Sequence, residues 1–75
     1  MSESEALTRL KEEHDYLGGS IDSKGILNID GKKYWIFIGR YIINEQTQRV
    51  GEHFYKVNAK NGEVTLDDSL YSQYY

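Results

Sequence analysis

The amino-acid sequence predicts an α+β fold: one N-terminal helix packed on a four-stranded antiparallel meander sheet, in the order α-β-β-β-β. Three observations predict it. Leu7, Leu10, His14 and Leu17 recur at helical spacing, with Ala6 beside them, and make one apolar stripe. Lys33 to Ile43 is crowded with aromatic and β-branched residues, which suit a pleated, half-buried surface. Asp30-Gly31 and Asn61-Gly62 stand between strand-like runs and mark turns.

The helix is expected over about residues 4–17. Ser2 and Glu5 have capping-box spacing, and two glutamates in the first turn suit the helix dipole. Gly18-Gly19 supplies a C-cap that accepts the left-handed conformation. Ser20 to Lys24 reads as a connector, with a turn at Ser23-Lys24-Gly25.

The first strand is expected at 26–29. A two-residue loop at Asp30-Gly31 then pairs Ile29 with Lys32 and Leu27 with Tyr34. The long second strand, 32–43, is apolar on both alternating sets. Tyr34, Ile36, Ile38 and Ile42 point one way; Trp35, Phe37, Tyr41 and Ile43 point the other. Something must therefore cover at least part of each face. Gly39 in its middle suggests a bulge or a close approach.

Asn44 to Gly51 is polar and reads as the longest loop. The third strand is expected at 52–59 and the fourth at 63–66. If Asn61-Gly62 alone makes the turn, Ala59 faces Val64 and Val57 faces Leu66. A longer loop with Gly62 in a bulge shifts that register by one. The tail, 67–75, carries Leu70, Tyr71, Tyr74 and Tyr75. It is either a frayed end or a segment that folds over the sheet or onto a partner.

The chain has 75 residues, one domain, and a domain of this size buries only about 60% of its unfolded surface. It has no cysteine, which excludes disulfides, thiolate metal sites and cysteine nucleophiles. The net charge is −3, with acids concentrated in the helix and tail and a weakly basic middle. That is no nucleic-acid footprint, which needs a denser basic face. No run is long and apolar enough to cross a bilayer. The N-terminus is polar and acidic, unlike a secretory leader. A complete chain would therefore be cytoplasmic; an excised domain would belong outside the cell or at the cell envelope.

No catalytic constellation stands out. His14 lies on the helix stripe, where a packed edge role is expected. His53 is expected at a strand start with a plain surface role. The serines fall at termini and turns, and Asp67-Asp68 lacks companion calcium ligands. The expectation is a non-enzyme without metal or cofactor. A binding surface remains. Trp35, Phe37, Arg40 and Tyr41 on one strand, with Tyr71 and Tyr74 of the tail, are residue types enriched at interface anchors. An exposed sheet edge offers a second route, to a partner strand or to a homo-oligomer.

Glu52-His-Phe-Tyr-Lys-Val-Asn-Ala-Lys-Asn-Gly-Glu-Val64 resembles the closing hairpin of PepSY-type domains. Gly31-Lys-Lys-Tyr-Trp-Ile-Phe37 is similar to an earlier strand of that family, and the leading helix fits its order. Asn58 stands where the family usually has aspartate. The resemblance implies a helix on an antiparallel sheet. It also implies a non-catalytic module of peptidase propeptides and Gram-positive lipoproteins, one that inhibits or chaperones peptidases or binds partners at the envelope. The alternative is a small intracellular inhibitor or immunity protein of phage or plasmid type, acting through its acidic helix.

Overall fold

The structure is a computed structural model and describes residues 1–14 and 21–74. Helix α1 (Glu3–Glu13) is followed by strands β1 (Ile21–Ile29), β2 (Lys32–Asn44), β3 (Arg49–Asn58) and β4 (Val64–Leu66). A 3-10 turn (Asp68–Leu70) and a short helix α2 (Tyr71–Tyr74) close the chain. The sheet is antiparallel in the order β1-β2-β3-β4, which is the predicted meander.

Helix α1 starts where its capping box forms. Ser2 Oγ accepts from the Glu5 N–H at 3.2 Å, and Glu5 Oε1 accepts from the Ser2 N–H at 3.1 Å. These hydrogen bonds from Ser2 hold the Glu5 carboxyl below the usual carboxylate range. The helix ends earlier than its apolar spacing predicts. The His14 N–H closes the last turn on Leu10 O, and His14 itself leaves helical geometry. The continuation to residue 17, with Leu17 and Gly18-Gly19, lies outside the described residues.

Asp30 and Gly31 both have positive φ (52° and 79°), as a two-residue type I′ turn requires. Ile29 pairs with Lys32 and Leu27 with Tyr34, the predicted register. Three expectations are corrected. First, β1 begins at Ile21, not 26. Ser23-Lys24-Gly25 is a bulge inside it, made possible by Gly25 at φ +84°, and not a turn. Second, the loop expected over Asn44 to Gly51 shrinks to residues 45–48. Arg49, Val50 and Gly51 pair with Asn44, Ile42 and Tyr41. Asn44 Oδ1 accepts from the Gln46 and Thr47 N–H groups at 2.9 and 3.3 Å, so the side chain satisfies the turn from within. The bulge on this hairpin falls at Ile43, whereas Gly39 sits in unbroken register between Ile21 and His53.

Third, the β3–β4 hairpin takes neither expected register. Val57 pairs with Val64 and Tyr55 with Leu66. The loop is long, with Gly62 at φ +77° and its N–H on Asn58 O at 2.8 Å. The displacement from the two-residue turn is two residues, not one. Strand faces repeat every two residues, so the apolar side chains stay together.

Both faces of the sheet are covered. On one, Ala6 and Leu10 pack with Phe37, Tyr55 and Val57; Leu7, Ile21, Trp35, Tyr41 and Val64 surround them. On the other, Leu70 packs on Ile36, Ile38 and Phe54, with Leu27, Ile29, Tyr34 and Tyr74 around it. The tail is therefore not a frayed end. Asp67 caps the 3-10 turn by accepting from the Ser69 N–H at 3.1 Å and the Ser69 hydroxyl, and it receives Lys56 Nζ at 3.0 Å. Those contacts, led by the Ser69 hydroxyl, hold its carboxyl below the usual range.

Candidate functional site

The site is the free end of the β2–β3 hairpin. The molecule measures 43 × 26 × 15 Å, and its length comes from strands that outrun both coverings. An 11-residue helix spans only about 16 Å, against about 44 Å for a 13-residue strand. The end of the hairpin is thus an arm. Ile42, Val50 and Ile43 on it are 60%, 58% and 53% exposed. Ile42 stands directly opposite Val50, so their side chains form one apolar pair on the face that α2 covers lower down.

Two polar clusters bound the arm, one on each face. On the α2 face, Arg40 of β2 bridges its neighbours. Its Nη1 donates to Asp22 Oδ2 of β1 at 2.6 Å, and its Nε lies 3.3 Å from Glu52 Oε2 of β3. The bonded Arg40 guanidinium holds the Asp22 carboxyl below its ordinary range, and Lys24 adds to the effect. On the α1 face, the Tyr41 hydroxyl lies 3.3 Å from His53 Nε2, and His53 Nδ1 lies 2.8 Å from Asp68 Oδ2. Asp68 Oδ1 accepts from the Phe54 N–H at 3.1 Å. The expected plain surface role of His53 is therefore corrected. It is a half-buried mid-strand residue tying β2, β3 and the tail together.

This Asp–His–hydroxyl order has the layout of a proton relay. The hydroxyl here is a tyrosine, and its ring stacks on His53 with centroids 5.2 Å apart. The Tyr41 ring also lies across Gly51. A Cβ at Gly51 would fall 2.5 Å from Cζ of that ring. What this arrangement accomplishes is to stiffen the base of the arm.

The residues named as interface anchors do not form one patch. Trp35 is half-buried on the α1 face, and its Nε1 donates to Met1 O at 3.0 Å. Phe37 is fully buried beneath α1 and is unavailable to a partner in this fold. Tyr41 belongs to the His53 cluster and Arg40 to the ion-pair bridge. Tyr74 stacks on Phe54 at 5.8 Å, and burial pushes its phenol up. Tyr71, edge-on to Phe54 at 6.2 Å, is the most exposed of the six, at 54%. The sequence places Ile42 and Ile43 on the two faces of the long strand and Val50 in a loop, so it does not mark the three as one exposed group; that follows from Arg49 to Gly51 joining β3.

A second concave region lies between the two hairpin turns at the opposite end, lined by Lys32, Lys33, Asn58, Lys60 and Asn61. Its lysines belong to the basic middle of the chain. Among the described residues, no group of three or more histidine, aspartate or glutamate side chains is placed to hold a metal ion. No described helix is long and apolar enough to cross a membrane. No protein-family model, curated protein or solved structure matches the chain.

Proposed function

We propose that the chain is a non-catalytic protein-binding or regulatory module whose contact surface is the β2–β3 arm. One observation carries the reading: three large aliphatic side chains, Ile42, Ile43 and Val50, are more than half exposed together at one end of the sheet, whereas Ile26 and Leu66, at 49% and 44%, stand apart on its two edge strands. Full burial of such a side chain is worth about 1.5–3 kcal/mol, and at 53–60% exposure roughly half of that is left for a partner to recover. A clustered apolar surface with a charged rim, here Arg40, Glu45 and Arg49, is the usual make-up of a contact site. The PepSY resemblance belongs to this reading. It adds a peptidase-inhibitory or cell-envelope role, for which the helix-then-sheet order is the support.

The test is affinity capture from the source cell with the parent chain and with an Ile42→Thr/Val50→Thr double variant. Both threonines keep β-branching, so Trp35 fluorescence should stay unchanged. A specific partner should be lost by at least tenfold. A partner held equally by both proteins refutes the arm as the contact surface. A second reading rests on the outer face of α1, where Glu3, Glu5, Glu12 and Glu13 are exposed. It describes the small intracellular inhibitor. Under that reading a Glu12→Lys/Glu13→Lys variant, not the arm variant, loses the partner.

A further inference from the structure

The edges of the sheet are not equally protected. Native sheets blunt edges with bulges, lysines and short strands. The β1 edge is interrupted by a bulge at Lys24, and β4 is three residues long. β3 differs. Its ladder to β4 runs only from Tyr55 to Val57, and the Asp67 N–H and Asp68 carboxylate extend it by one position to Phe54. Among the described residues, nothing pairs with the main chain of Arg49 to His53 on the side away from β2. That segment carries neither a bulge nor a lysine, and it bears the exposed Val50.

The orientation of this open edge follows from its neighbours. The Phe54 N–H and C=O, and the Asn58 N–H, all point away from β2. Main-chain groups alternate sides along a strand, so Val50 and Glu52 also present theirs outward. We infer that this edge pairs with the same edge of a second copy, antiparallel about a two-fold axis, to make one continuous sheet through both arms. The inference rests on the arm being the contact surface and names its partner.

Chemistry selects the register. Outward groups must oppose outward groups, which leaves three two-fold centres. A centre at Glu52 sets two carboxylates face to face. A centre at Gly51 sets Val50 against Glu52, and Arg49 against His53. A centre at Val50 sets valine against valine and Arg49 against Gly51, while Gln48, at φ 54° in the turn, lies outside the ladder. Only the last opposes no like charges and no apolar group to a charge. On the α2 face it makes an unbroken row of four aliphatic side chains, Ile42 and Val50 from each copy. On the other face it brings Arg49 beside the Tyr41 ring that lies over Gly51 of the second copy, a cation–π geometry. The interface is self-complementary, as a two-fold contact must be.

Sedimentation equilibrium of the full chain tests this. A reversible species of twice 8.7 kDa is expected as concentration rises into the millimolar range. In the same series, the Val50 amide should gain hydrogen-exchange protection with concentration. Val50→Lys sets two ammonium groups opposite each other at an exposed site and should weaken the dimer by about tenfold or more. Val50→Pro removes the outward N–H and leaves the ladder to β2 intact, so it should do the same. A chain that stays monomeric at millimolar concentration overturns the inference. So does a dimer that ignores Val50→Lys and leaves the Val50 amide unprotected. A monomeric chain whose arm still captures a different protein overturns this inference alone and leaves the protein-binding reading standing.

Discussion

Gly51 and Tyr41 show how one residue's lack of a side chain positions another. They face each other across β2 and β3, and the tyrosine ring fills the space that a Cβ would take. From there its hydroxyl reaches His53, which in turn meets Asp68. Gly51→Ala pushes the ring aside and breaks the Tyr41–His53 contact, while the ring itself is free to swing outward. The cost is that of about one hydrogen bond, roughly 0.5–1.5 kcal/mol. Urea denaturation should report it, and Tyr41→Phe should show a similar loss. Gly51→Ala in the Tyr41→Phe background should then cost less than it does alone. Nothing in the sequence marks Gly51 for this role, because Asn44 to Gly51 has the composition of a loop and the pairing partner of a glycine is not written in its neighbours.

The tail is the element whose role the tertiary structure changed most. Leu70, Tyr71 and Tyr74 look alike in sequence whether they fray or dock. What docks them is a set of distant groups: Lys56 and the Phe54 main chain for the two aspartates, and the Ile36–Ile38–Phe54 surface for Leu70. The Asp67 carboxyl has a lowered pKa in the folded state, so the sign of its pH dependence is set. Its contribution is present above the unfolded value of about 3.9 and is lost as pH falls through the lower folded value. Asp67→Asn keeps an acceptor for Ser69 but removes the charge. Its stability should therefore be lower than the parent's at neutral pH, and the difference should shrink below about pH 4. Chemical denaturation at two pH values checks this, and a difference that grows in acid contradicts the assignment. By contrast, the start of α1 was legible, since its cap, first-turn acids and the Ala6–Leu10 part of its stripe are local features, while its end at Glu13 was not.

At the scale of the whole molecule, the sheet is a long ribbon with a helix on one face, a folded tail on the other, and an arm that neither reaches. Ladder hydrogen bonds under both coverings are shielded from water, whereas beyond the Tyr41 ring those of the arm lie among exposed residues. Amides of Ile36 to Ile38 should therefore exchange much more slowly than those of Ile42 to Val50 in dilute solution. Equal protection would show that the arm is covered in the free protein, and would remove the basis for a contact surface there.

The sequence by itself determined the α+β class, the strand order, the first hairpin and its register, and the assignment of the central strand to two apolar faces. These depend on short-range signals: side-chain periodicity of two or near four, turn residues with positive φ, and a capping pair three residues apart. Only the tertiary structure decided how far the strands run past their turn-like residues, which element covers the second face, and which apolar side chains are left bare. Those outcomes depend on which residues meet across the sheet, and pairing energy is gained between positions far apart in the chain. The exposure of Ile42 and Val50 is a difference between two lengths, that of a strand and that of its cover, and neither length is set at the residues that end up exposed.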